Sequence, residues 1–365
     1  MRVLIIGGYG NFGAYIASSL AKVRYIQVII AGRNLEKAKK AAEKFTIKNK
    51  IEAYKVDTNY NLLESLAVIK PDLVIHTSGP FQGQPYTVAE ACIKQKCHYV
   101  DLADARDFVN NINTLEKKAQ KADVLICSGA SSVPCLTSSI IDKYSPQFKN
   151  LEKVEYAIAT AQLTNRGLAT IESVLSYAGK PFKTLINGKM HNVYGWLGVS
   201  FRNFWGLKNR ALSYCDIPDL EIFPKRYPSL KTIVFKAGLE LKILHLILAL
   251  LSWFIKIGIF KSLQPLAPIM LKISYLFDRI GNDDSGFYMT LSGKDKNGIA
   301  KEINFEILAI NGAGLFIPCI PSIIIAKKLA NKKLSKTGAQ ACVGLITLDE
   351  YLNEFSELNI DFRVS

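Results

Sequence analysis

The chain has 365 residues, with 46 Lys and Arg against 31 Asp and Glu and a formal charge of +15. That length suits two domains better than one. The basic excess is dispersed and comes with no base-stacking module or helix-turn-helix pattern, so no nucleic-acid partner is expected. Seven cysteines lie in apolar segments with no C-x-x-C and no metal-like spacing, which points to reduced structural thiols, a cytoplasmic setting and no bound metal.

Val3–Ile6 is an apolar run that reads as a buried parallel strand, and it leads into Gly8-x-Gly10-x-x-Gly13. Ala14–Leu20 then has helical spacing. In a strand–turn–helix, Gly8 permits the tight turn, Gly10 lets backbone approach a pyrophosphate, and Gly13 lets helix and strand pack closely. The unpaired N–H groups and the positive dipole end of the helix would face that anion. Glycine breaks the apolar start after Ile6, so it does not read as a signal peptide.

A second strand, Val28–Ala31, ends in Gly32-Arg33-Asn34. An NAD-selective site usually places a carboxylate here to accept from the ribose 2′-hydroxyl. Arg33 stands there instead, with Lys37 and Lys39 nearby. A guanidinium suits the 2′-phosphate of NADP and would favour it over NAD. Strands are expected at Ile51–Asp57, with Asp57 placed to touch adenine, and at Asp72–His76, His98–Leu102 and Asp123–Cys127. Helical lengths and spacing separate them at Leu35–Phe45, Leu62–Ile69, Pro85–Gln95 and Phe108–Lys121. This alternation predicts a doubly wound parallel sheet of the Rossmann type with ligands at the strand carboxyl ends. Ser78, Gly79, Pro80 and Phe81 lie there, as do Asp101 and Gly129.

From Leu151 the rhythm changes to longer strands, with hairpin signals at Asn187-Gly188 and Asn297-Gly298. A second α+β domain with a mixed or antiparallel sheet is expected. Within it, Leu239–Phe277 is the least ordinary stretch. On a helix Lys242, His245, Ala249, Ser252 and Lys256 form one narrow polar stripe, and the rest of the circumference is apolar. Residues 225–279 carry nine Lys and Arg against Glu240 and Asp278. Such a segment suits either a helix lying in an anionic membrane interface or one buried in the core or at a homodimer contact, and the cations favour the membrane. The chain would then sit peripherally at the cytoplasmic face.

The run Gly7-Gly8-Tyr9-Gly10-Asn11-Phe12-Gly13, with Ala31–Asn34, His76–Phe81, His98–Leu102 and Ser128–Cys135, resembles the saccharopine dehydrogenase-like oxidoreductases. The resemblance is strong over residues 1–140 and looser at 167–177 and 338–351. It implies a nucleotide domain at 1–140, a substrate domain at 141–330 containing 239–277, and a C-terminal segment, 331–365, returning to the nucleotide domain. It also implies that Gly8, Gly10, Asn11, Phe12, Gly13, Arg33 and Asn34 hold the pyrophosphate and adenosine. Gly79, Pro80 and Phe81 would flank the nicotinamide ribose, with Asp101 bordering the site. Arg166, Arg202 and Arg210 could serve substrate carboxylates, although their spacing singles none of them out.

The expected chemistry is hydride transfer between NADPH and a C=O, C=N or activated C=C bond of a small molecule. A proton donor must lie within hydrogen-bonding reach of the reacting atom. His76, Tyr99, Asp101 and Ser132 form the pool, with Asp101 and Tyr99 ranked first; Asp101 would otherwise only bond backbone in its turn. Two alternatives stand beside this reading, a membrane-associated reductase of lipid double bonds and a non-catalytic NADP-binding protein.

Overall fold

In the computed structural model, which describes residues 1–44 and 51–365, β1 (Arg2–Ile6) is buried from Val3 onward, with Val3, Leu4 and Ile5 inaccessible to solvent. It lies between β2 (Gln27–Gly32) and β4 (Leu73–His76), parallel to both. Outward from these run β3 (Glu52–Lys55) on one side and β5 (His98–Asp101) and β6 (Leu125–Ser128) on the other, all parallel. Continuous Val/Ile/Leu runs suit strands buried on both faces, as a parallel sheet requires. The expected doubly wound sheet is therefore present. A further strand, Gly338–Ala341, pairs in parallel with β6 and makes seven.

Helix α1 (Asn11–Ala21) packs through Ile16, Ala17 and Leu20, and α2 spans Leu35–Glu43. Phe45, the expected last residue of the second helical segment, lies outside the described residues. The segment expected as one helix over Phe108–Lys121 is instead three short pieces, Arg106–Asn110, Asn111–Leu115 and Glu116–Ala122. Asn110-Asn111 and Asn113-Thr114 explain the break, because short polar side chains compete for backbone hydrogen bonds.

Two compact units result. The first is Met1–Leu136 with Phe316–Tyr351, and the second is Thr137–Leu315 with Leu352–Ser365. The chain thus rejoins the first unit at Phe316 rather than at 331. Its last residues do not stay there, because Ile360–Val364 pairs with Ala300–Ala309 in the second sheet.

The second unit holds a seven-stranded sheet in the order Ser200–Arg202, Arg210–Tyr214, Thr232–Gly238, Asn150–Ala159, Ser285–Lys294, Ala300–Ala309, Ile360–Val364. It is mixed: Thr232–Gly238 runs parallel to Asn150–Ala159 and the other pairings are antiparallel. Both hairpin signals fall on turns. Asn187 and Gly188 take φ of 50° and 78° between paired strands, as a type I′ turn requires.

The Lys242–Lys256 helix reverses the usual polarity. His245, Leu248, Ala249, Ser252 and Ile255 face the protein, while Ile243, Leu246, Ile247, Leu250 and Trp253 are 43–55% exposed. The centre of the polar stripe read from the sequence is therefore the inner face. His245 explains this: its Nε2 lies 2.9 Å from Ser213 Oγ, and its Nδ1 accepts from Leu239 N at 3.4 Å.

Candidate functional site

The glycine turn begins where β1 ends. Gly7 has φ of 83°, so the left-handed residue of the turn is Gly7, one before the first glycine of the spaced motif. The N–H groups of Gly7 and Gly8 both donate to the Ala31 carbonyl, at 2.8 and 3.2 Å, which pins the turn across the end of β2. A Cβ on Gly13 would run into the Gly7 carbonyl and lie 2.7 Å from Gly8 Cα, so the helix packs on the turn with backbone against backbone. Gly10 differs. A Cβ there would meet only the Gly7 carbonyl, at 3.2 Å, and otherwise open space.

Gly10 also caps α1 with extended backbone (φ −79°, ψ 173°), no side chain caps that helix, and its first turn carries no acid. The partial positive charge of the helix start is therefore left for an external anion. These features fit a dinucleotide diphosphate: an approachable backbone at Gly10, an acid-free helix start at Asn11 and Phe12, and a rigid turn beneath.

At the end of β2, Tyr9 packs on Gly32, whose Cβ would fall 2.7 Å from the Tyr9 hydroxyl. That hydroxyl accepts from Asn34 N at 3.4 Å. Sequence reading missed Tyr9; the only signal was a large aromatic between two glycines. Arg33 is exposed beside it, and among the described residues no carboxylate pairs with it. Lys39 is engaged by Glu36 at 3.1 Å. Asn34 Oδ1 caps α2 by accepting from Lys37 N at 3.0 Å, and Asp57 Oδ1 accepts from Asn59 N at 3.0 Å. Both side chains therefore shape the rim while spending an oxygen on local turns.

The loop after β4 lies against the glycine turn. A Cβ on Gly7 would sit 2.6 Å from both Ser78 Oγ and Thr77 Oγ1. Thr77 is tied to β1, its N and Oγ1 each donating to the Ile6 carbonyl at 2.9 Å. Gln84, also unrecognised in the sequence, donates Nε2 to the carbonyls of Ser78 and Pro80 at 3.1 and 2.6 Å. It holds the Ser78-Gly79-Pro80 backbone from behind. Phe81 is buried edge-on to His76, with ring centroids 5.2 Å apart, and packs on Phe108.

His76, Tyr99 and Asp101 form a buried string at the ends of β4 and β5. His76 pairs in register with Asp101, and Tyr99 is two residues before Asp101 on the same face of the sheet. His76 Nδ1 is 3.2 Å from the Tyr99 hydroxyl. Burial lowers the imidazole to about 4, so it is neutral at neutral pH, and burial pushes the phenol far above its ordinary range. Asp101 Oδ1 accepts from Gly129 N at 2.8 Å, Ala103 N at 3.0 Å and Ser128 Oγ at 3.0 Å. Its Oδ2 is buried without a hydrogen bond of normal geometry among the described residues. Burial outweighs the accepted bonds and lifts the carboxyl to about 6. Asp101 thus clamps the ends of β5 and β6 and keeps one oxygen able to hold a proton. Ser132 is also buried, beside Tyr351. His98 serves the sheet, its Nδ1 accepting from Leu125 N at 2.9 Å.

A Rossmann-type unit with this turn is a nucleotide-binding architecture. Residues 3–127 match the model of the saccharopine dehydrogenase NADP binding domain. Over 100% of this chain and 99% of the other, the structure is similar to apo saccharopine dehydrogenase (L-Glu forming) from Saccharomyces cerevisiae, with a TM-score of 0.72 at 13% identity. That likeness shows the fold of the whole chain. A probable dehydrogenase from Thermotoga maritima gives a TM-score of 0.49 at 10% identity, covering 96% and 92% of the two chains. An amine dehydrogenase from Mycobacterium smegmatis gives 0.44 at 10%, covering 96% and 95%. No curated protein matches the chain by sequence.

Proposed function

We propose that the protein is an NADP-dependent oxidoreductase acting on a C=O, C=N or activated C=C bond of a small molecule. The observation that carries this reading is the open, acid-free approach at Gly10 with an arginine in place of a carboxylate at the end of β2. Gly10, Asn11 and Phe12 would receive the diphosphate. Arg33 would take the 2′-phosphate, with Tyr9 beside it. Gln84 fixes the Ser78–Pro80 backbone that would flank the nicotinamide ribose. When bound, the cofactor supplies or accepts the hydride. Asp101, with its carboxyl near 6, would hold or release a proton at Oδ2, with Tyr99 and His76 beside it in the same buried string.

Three arginines of the second unit bear on the substrate class. Arg166 donates to Asp278 at 2.6 Å, Arg210 is buried 4.0 Å from Glu240, and Arg202 stacks 3.6 Å over the Tyr288 ring. Arg166 is thus taken by an ion pair, while the stacked guanidinium of Arg202 keeps donors that could meet a substrate carboxylate. The exposed apolar surface of the second unit favours a second reading, reduction of a lipid double bond.

Cofactor choice is tested by thermal shift, because a ligand that binds only folded protein raises Tm by mass action. NADPH is expected to raise Tm more than NADH does. Arg33→Ala is expected to lose about 10- to 100-fold in NADPH affinity, as removal of a charge-assisted contact does, with little change for NADH. Equal shifts with the two cofactors in the native protein would remove the arginine argument.

A further inference from the structure

We infer that the second unit docks on an anionic lipid bilayer through the outward face of residues 243–280. The Lys242–Lys256 helix buries His245, Leu248, Ala249, Ser252 and Ile255 and leaves Ile243, Leu246, Ile247, Leu250 and Trp253 exposed. The Ala267–Tyr275 region repeats the arrangement. Ala267 is buried, while Leu266, Ile269, Ile273, Leu276 and Ile280 are 43–76% exposed at helical spacing. Both segments pack inward on one apolar cluster that contains Leu248, Ile255, Leu263 and Ala267. The outward residues are therefore not needed to hold the segments in place.

A soluble surface rarely exposes this much apolar side chain within one stretch of chain. Charge identifies the occupant. Between residues 241 and 277 there are four cations, Lys242, Lys256, Lys261 and Lys272, all exposed, and no acidic residue. A bilayer surface rich in anionic headgroups complements that pattern, with the apolar stripes entering the headgroup–acyl boundary and the lysines staying at headgroup level. A helix of 15 residues is about 22 Å long, short of the roughly 30 Å hydrocarbon core, so it lies along the interface rather than across it. Trp253 has the amphipathic ring that settles at such a boundary. By contrast, Ile320–Ala326 of the Ile320–Ala330 helix are buried within the first unit.

The test is flotation of the full chain with vesicles of phosphatidylglycerol and phosphatidylcholine, or of phosphatidylcholine alone. Binding to the anionic vesicles only is expected, with a blue shift of Trp253 emission that W253F removes. The double variant I247E/L250E changes only exposed side chains. It should lose binding by about a hundredfold while melting as the native protein does. Three results would overturn the inference: native protein that stays off anionic vesicles, a double variant that still floats, or equal binding to neutral vesicles. A native dimer that I247E/L250E makes monomeric, with no flotation, would instead identify the face as a subunit contact. None of these readouts involves NADPH, so they stand or fall apart from the cofactor assignment.

Discussion

Gly10→Ala is expected to lose NADPH binding while the protein stays folded, and Gly13→Ala is expected to do the reverse first, losing stability before binding can be asked about. The two glycines are three residues apart in one turn and serve different ends. At Gly10 the backbone is already in a conformation that alanine adopts, and the added methyl meets only the Gly7 carbonyl at 3.2 Å. Stability should change by less than about 1 kcal/mol. The methyl would, however, stand where the diphosphate is proposed to approach, and loss of charge-assisted backbone contacts should weaken binding about 10- to 100-fold. At Gly13 the methyl would overlap the backbone of Gly7 and Gly8, which cannot rotate away. A loss of about 3 kcal/mol is expected. Denaturant melts with and without NADPH separate the outcomes. A Gly10→Ala protein that binds NADPH normally would disprove the assigned approach.

The second large effect lies in the pH dependence of stability. Asp101 is lifted from 3.8 to about 6 and is fully buried. The folded state therefore binds a proton more readily than the unfolded chain. This group's contribution is present below about pH 4 and is lost as pH rises through 6, amounting to roughly 3 kcal/mol. His76 is lowered from 6.5 to about 4. Here the unfolded chain binds the proton more readily, so stability is present above about pH 6.5 and lost, by roughly 3 kcal/mol, as pH falls toward 4.

Across this window the two neighbours oppose each other and largely cancel. Asp101→Asn should expose the His76 slope, giving a protein that weakens on acidification relative to the native one. His76→Gln should expose the opposite slope, and the double variant should again run level with the native curve. Other titrating groups drop out of these differences. Parallel curves for all four proteins would show that the string does not titrate as its burial requires.

The turn at Gly7–Gly13 was legible in the sequence because every residue that makes it is local. An apolar run, spaced glycines and a helical period leave few alternatives. The motif fixed the spacing of the turn, and the structure adds that Gly7 takes the left-handed conformation while Gly7 and Gly8 both donate to the Ala31 carbonyl. Arg33 was visible as a charge at the end of a strand. Tyr9 and Gln84 were not, since their roles come from lying on Gly32 and behind Ser78–Pro80. The Gly338–Ala341 strand has no alternation of its own, and pairing with β6 makes it a strand.

By itself the amino-acid order determined the parallel nucleotide-binding sheet, its glycine turn, the arginine at the second strand and the odd apolar, cationic stretch, because short-range periodicity and residue chemistry encode each of them. Tertiary structure decided which way that stretch faces. A helix with one polar stripe reads from its sequence as polar-side-out, yet the middle of this one is buried, with His245 against Ser213 on a distant strand, while Lys242 and Lys256 at its ends stay exposed. It also decided that Asp101, Tyr99 and His76 form one buried string, since burial and long-range pairing set both the partners and the protonation of such groups.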